Sequence, residues 1–317
     1  MTSTGLKVLF FGTPQFAVPT LDALLASRHQ VAAVVTQPDR PRGRGQKETD
    51  APVKARAREV GLPILQPSTL KDPAVVQALA AFGADIGVVA AYGKILTEAV
   101  LAVPRLGMVN VHASLLPKYR GAAPVHRAVL AGETITGVTI MRVVKALDAG
   151  AMLSTVERPI GPDDTSQEVE RDLSTLGAAL LVATLDRLAL GPIDEVPQDD
   201  ALATYASRLT REDGIVDWSA PAASIHNQIR GLHPWPHASA FVDGQRLILL
   251  RSTSTPTATD AAPGTILAAE GDDLHVATGA GTLHITELQA EGRRPGRTRE
   301  FLAGRRLSAG QRFTAQP

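Results

Sequence analysis

The chain of 317 residues contains no cysteine. Disulfides, thiolate metal sites and cysteine nucleophiles are therefore excluded. It also lacks an excess of charge of either sign. With 32 basic and 32 acidic side chains, the protein as a whole is no general polyanion binder, although local patches remain open. Long hydrophobic runs are missing too: stretches such as "IGVVAA" (86–91) are too short to span a bilayer, so no membrane partner is expected. The apolar "LKVLFF" (6–11) is interrupted at once by Gly12, Thr13 and Pro14, which reads as a buried strand and turn and not as a signal peptide. A cytoplasmic location is the expectation. The three spaced glycines of a dinucleotide-binding turn are absent after that strand, which leaves a nicotinamide cofactor unsupported. The eight histidines are scattered, and His226, His233 and His237 show no ligand pattern, so no metal is expected.

What is present is ordinary globular composition, 44% hydrophobic and 20% charged, at a length that suits two domains. The first two-thirds alternate strand-like and helix-like stretches. "LKVLFF", "VAAVVT" (31–36), "DIGVVAA" (85–91), "GMVNVH" (107–112) and "GVTIMRV" (137–143) read as strands, with helices over 14–27, 52–60, 73–83 and 165–190. Such alternation predicts βαβ units in a mostly parallel sheet, whose ligands gather at the carboxyl ends of the strands. After about residue 205 the pattern changes. One helix over 221–232 is followed by "ASAFV", "RLILLRS", "GTILAAE", "DLHVAT" and "TLHITELQ", separated by turns that carry Gly and Asp. Short, regularly spaced strands predict a small all-β barrel. The expected domains are 1–205 and 206–317, with a mobile loop at 252–263. No oligomerisation helix is evident, which makes a monomer the default.

Chemistry concentrates in "NVHASLLPKYRG" (110–121). Asn110 and His112 are two apart on a strand and so face the same way. A neutral imidazole can accept a proton from an attacking amine, and an amide can donate to a carbonyl oxygen that becomes an oxyanion. The same pair also reads as polar groups that satisfy each other at a strand end. "KALDAG" (145–150) supplies Asp148 just after another strand, which strengthens the catalytic reading, although Asp before small residues is common turn chemistry. Gly12-Thr13-Pro14 reads either as an anion site at a helix start or as a plain turn. Two basic stretches stand out in the neutral chain. "TQPDRPRGRGQK" (36–47) carries Arg40, Arg42 and Arg44, and residues 291–312 carry seven arginines against two glutamates. Both could be solvated surface; together they tilt toward a nucleic-acid partner.

"FFGTPQFAVPTLDAL", "TQPDRPRGRGQK", "NVHASLLPKYRGAAPVHRA", "LDAGAML", "LTREDGIVDW" and "HPWP" resemble, in order and along nearly the whole chain, the methionyl-tRNA formyltransferase family. The resemblance implies a Rossmann-like N-terminal domain joined to a smaller OB-fold-like barrel. It implies transfer of a formyl group from 10-formyltetrahydrofolate to the α-amine of methionine on initiator tRNA. By similarity Asn110, His112 and Asp148 form the catalytic group, with Asp148 holding the imidazole. Ser114, Leu115, Leu116 and Pro117 line the folate site, with Val89 and Tyr92 as a further wall. Arg40, Arg42 and Arg44 meet the acceptor stem, although Gln46 and Glu48 stand where further basic residues are frequent. The Asn, His, "SLLP" and Asp core is shared by a wider group that uses formyltetrahydrofolate. A formyltetrahydrofolate hydrolase or an amino-sugar formyltransferase is the alternative, and a tRNA-binding protein without catalysis is a third reading.

Overall fold

The computed structural model describes residues 5–39, 41–42, 47–305 and 307–316. The chain divides into two compact units. One comprises residues 1–121, 136–158 and 170–205, the other residues 122–135, 159–169 and 206–317.

The first unit is built on seven strands: β1 (Lys7–Gly12), β2 (Gln30–Val35), β3 (Ile64–Leu65), β4 (Ile86–Ala90), β5 (Met108–His112), β6 (Ile135–Arg142) and β7 (Met152–Pro159). Their order is β7-β6-β5-β4-β1-β2-β3. The five strands from β3 to β5 run parallel, as the βαβ alternation predicts. β1 is buried over Val8–Gly12, the pattern of a strand covered on both faces. Leu9, Phe11, Ala33, Val35 and Met108 join Tyr92 and Leu79 in one apolar cluster.

β6 departs from the parallel pattern. It pairs with β5 antiparallel, with Val109 opposite Arg142 and His112 opposite Thr139. The carboxyl end of β6 therefore lies beside the start of β5 and not beside His112. β7 is a strand that the sequence reading did not anticipate; its polar residues alternate with partly buried ones along an edge of the sheet.

The helix α1 (Ser166–Leu190) is long and apolar enough, by length and composition only, to cross a membrane. It behaves as a core helix: Leu173, Ala178, Leu181, Leu185 and Leu188 are buried. Gly177 permits its close approach to β5, because a Cβ there would meet Val111 Cγ1 at 2.8 Å. The helix starts on a capping box at Thr165: Thr165 Oγ1 accepts from the Glu168 N–H, and Glu168 Oε2 accepts from the Thr165 N–H.

The second unit holds the antiparallel strands β8 (Ala238–Val242), β9 (Gln245–Thr255), β10 (Ile266–Glu270), β11 (Asp273–Ala277), β12 (Thr282–Ala290) and β13 (Gly296–Arg297). The order is β8-β9-β12-β11-β10, with β13 on β12. Asp243 and Gly244, both at positive φ, form the two-residue hairpin between β8 and β9. β9 runs through Thr255, so the loop expected from residue 252 begins later; Ser252–Thr255 pair with 282–285, where β-branched threonines suit a strand. The segment 312–314 bridges to Thr265 and to Phe241, stitching the two outermost strands together. Inside, Trp218 stacks on Phe313 with ring centroids 5.2 Å apart, among Ile225 and Ile229 of the preceding helix (Ala222–Gly231) and the inward residues of the strands.

Candidate active site

β5 ends on Asn110 and His112. Asn110 is half-buried, and His112 is 5% exposed. The strand stops because the next residues turn under a buried network. Ser114 Oγ donates to the Lys118 carbonyl at 2.6 Å, Thr139 Oγ1 donates to the Ser114 carbonyl at 2.7 Å, and the Leu116 N–H donates to Thr139 Oγ1. The turn returns the chain so that the Tyr119 carbonyl lies 3.0 Å from His112 Nε2. A carbonyl can only accept, so Nε2 carries the proton and the neutral ring presents a lone pair at Nδ1. Asp148 Oδ2 lies 3.8 Å from that Nδ1 and accepts from the Gly121 N–H at 2.8 Å.

Asp148 does not arrive there as the end of a neighbouring parallel strand. The β6–β7 connection folds back toward His112, and Gly150 lets it do so. A Cβ at Gly150 would sit 1.9 Å from the Arg142 carbonyl oxygen. Among the described residues, three at this end of the sheet hold left-handed backbone despite having side chains: Ala91 (φ 46°), Tyr119 (60°) and Asp148 (47°). Each such residue costs on the order of 1 kcal/mol and persists only where neighbours fix it.

Of the residues expected on the folate wall, Leu115, Pro117 and Val89 are half-buried, whereas Ser114, Leu116 and Tyr92 are buried. The Tyr92 ring meets Phe11 edge-on at 5.6 Å, and burial pushes its phenol up to about 12. Its backbone faces a cavity of about 290 Å³ at the ends of β1, β2 and β4, lined by Thr13, Gln37, Asp39, Ala91 and Gly93 among others. Thr13 Oγ1 and Gln37 Nε2 both donate to the Tyr92 carbonyl. At the rim Lys54 pairs with Asp39 and Asp50, and its hydrogen bond holds the Asp39 carboxyl below its usual range. The turn at Gly12-Thr13-Pro14 thus forms cavity wall.

Arg40 and Arg44 lie outside the described residues. Pro41–Arg42 forms a two-residue strand antiparallel to Lys47–Glu48, which places the Arg42 backbone in a hairpin. The contribution of Tyr119 was not readable from the sequence, since it acts through a backbone carbonyl that every residue has.

In the second unit, Asp273, His275 and His284 bring potential ligand atoms within 4.8 Å. Its two imidazoles stack at 4.5 Å and 11°, so their in-plane lone pairs run side by side instead of converging on one ion.

Comparison with known proteins gives the family. Residues 6–185 match the family model described as formyl transferase, and residues 208–306 match the formyl transferase C-terminal domain. The chain is 46% identical to the methionyl-tRNA formyltransferase of Citrifermentans bemidjiense, over 97% of this chain and 96% of the relative. It is 47% identical to that of Heliobacterium modesticaldum, over 97% of this chain and the whole of the relative. Among solved structures, the N-formyltransferase of Helicobacter canadensis, in complex with folinic acid and dTDP-3-aminofucose, superposes with a TM-score of 0.66 at 17% identity, covering 88% of this chain and 99% of that one. HypX of Aquifex aeolicus in complex with tetrahydrofolic acid gives 0.64 at 15% identity, covering 94% of this chain and 47% of that one, and both likenesses speak for the fold alone. Through both of its parts, the chain belongs to the formyl transferase family.

Proposed function

We propose that the chain transfers the formyl group of 10-formyltetrahydrofolate to the α-amino group of methionine carried by initiator tRNA, the activity for which its relatives are named. The observation that carries the chemistry is the state of His112: with Nε2–H committed to the Tyr119 carbonyl, Nδ1 is a proton acceptor beside a carboxylate.

In this reading His112 Nδ1 takes the proton released when the neutral amine attacks the formyl carbon. The Asn110 amide donates to the carbonyl oxygen as it becomes an oxyanion. Asp148 stabilises the imidazolium that forms, and the same proton passes to the leaving N10 as its bond to the formyl carbon breaks. Leu115, Pro117 and Val89 offer side-chain surface to the folate, while Ser114, Leu116 and Tyr92 support that wall from within. The chain up to about residue 205 has the catalytic role, and the barrel beyond it joins Arg40, Arg42 and Arg44 in holding tRNA. A cytoplasmic monomer is part of the same reading.

Single-turnover assays with formylated folate, with and without methionyl-tRNA, test it. Formyl transfer to the tRNA is expected; folate turnover at one rate regardless of tRNA would sink the proposal and favour a hydrolase. Arg44→Ala is expected to weaken tRNA binding at fixed salt while sparing folate binding, and unchanged tRNA affinity would remove the arginine from the interface.

A further inference from the structure

Gln198 lies fifty residues beyond Asp148, in a stretch with no motif. Its side chain is nevertheless the hub of the strand-end site. Oε1 accepts from Arg120 Nε at 3.0 Å and from Nη2 at 2.8 Å. Nε2 donates to the carbonyls of Asp148 and Gly150, each at 2.8 Å. A guanidinium only donates and a carbonyl only accepts, so one orientation of the amide fits, with both its N–H groups and both oxygen lone pairs engaged. Arg120 is 3% exposed, and its charge is met by the Asp200 carboxylate at 2.7 Å.

The two things Gln198 joins are the two halves of the catalytic pair. Arg120 follows Tyr119, whose carbonyl holds His112 Nε2, and precedes Gly121, whose N–H holds the Asp148 carboxylate. On the other side, the Asp148–Gly150 turn carries its carboxylate at a left-handed backbone position that does not hold itself. One amide therefore fixes the segment that orients the imidazole against the turn that presents the carboxylate.

We propose that Gln198, seated on Arg120, is a positioning residue for formyl transfer that sets the spacing between Asp148 and His112 Nδ1. This rests on the proposed roles of those two residues. Two full-length variants separate its parts. Gln198→Glu keeps the size and the acceptor for Arg120 but removes both donors to the turn, whereas Gln198→Leu removes every polar contact.

Formylfolate turnover is measured in single-turnover mode with methionyl-tRNA and without it. Both variants are expected to lose about 10- to 100-fold in rate, the usual cost of removing a group that orients a reacting one, with substrate KM values near those of the parent. The discriminating step is a double-mutant cycle with Asp148→Asn. If Gln198 acts through Asp148, its substitution costs nothing further once that carboxylate is gone, whereas a general structural role costs the same factor in both backgrounds. Parent-like rates in both variants, or multiplicative losses in the cycle, overturn the proposal. A parent protein that turns over folate but formylates no tRNA refutes the acceptor and not the clamp, because the cycle is then read on folate turnover alone.

Discussion

In the first unit the left-handed residues with side chains among those described, Ala91, Tyr119 and Asp148, stand at the end where ligands gather; in the second, His237 and Asp243 take the same conformation at either end of β8, and Asp243 completes a hairpin with Gly244. The contrast extends to polar groups. His112 Nδ1 and Asp148 Oδ2 sit 3.8 Å apart, too far to hydrogen-bond. In the second unit, Glu168 is closed in by Thr165 and Arg251, and Asp272 by Arg299. One region keeps its proton acceptor open, and the other uses its charges to finish its surface. Incomplete pairing of this kind is what the proposed role of His112 as a proton acceptor requires.

Substitutions sharpen this division. His112→Ala is expected to lower the single-turnover rate about 10²- to 10⁴-fold with tRNA affinity near the parent's, and parent-like transfer would take the imidazole out of the mechanism. Trp218→Ala, which empties the stack on Phe313, is expected to cost about 3–5 kcal/mol of stability in denaturant titrations; a loss under about 1 kcal/mol would mean that the barrel collapses around the gap. Glu168→Gln has a smaller effect with a pH signature. Burial pushes this carboxyl up, but its bonds to Arg251 and Thr165 outweigh that and bring it from 4.5 to about 2. Its folded value lies below its unfolded one, so its stabilisation is present above about pH 4.5 and disappears as pH falls toward 2. With a third of the side chain exposed, screening leaves about 1 kcal/mol at neutral pH, and the variant's acid limb should be flatter over that window. The exposed Arg299–Asp272 pair should be silent: Arg299→Ala leaves the melting midpoint where it was, and a clear drop would show surface pairing to matter more than exposure allows.

Much of this was legible in the sequence because it rests on periodicity. Asn110 and His112 share a face because strands alternate, and the barrel strands β8 to β12 fall on the five expected runs, whereas the two-residue β13 was not anticipated. The position of Asp148 was anticipated for an incomplete reason. Nothing in "GVTIMRV" distinguishes an antiparallel strand from a parallel one, and only the register with β5 shows that the connecting loop folds back. Tyr119 and Gln198 were illegible for two different reasons. The first acts through its backbone, and the second meets its partners across separations that no local pattern encodes. β7 escaped because its alternation, broken by charged residues, is that of an edge.

The bridge from 312–314 to Phe241 and Thr265 has a consequence for synthesis. The partner that completes β8 lies 73 residues downstream of Phe241. A growing chain therefore leaves Phe241 without this bridge for as long as the ribosome takes to add that length, several seconds at about 5–20 residues per second, and Thr265 for the shorter stretch to Arg312. Helper proteins that shield unpaired edges would have their opportunity in this interval, and it ends when the last stitch is made.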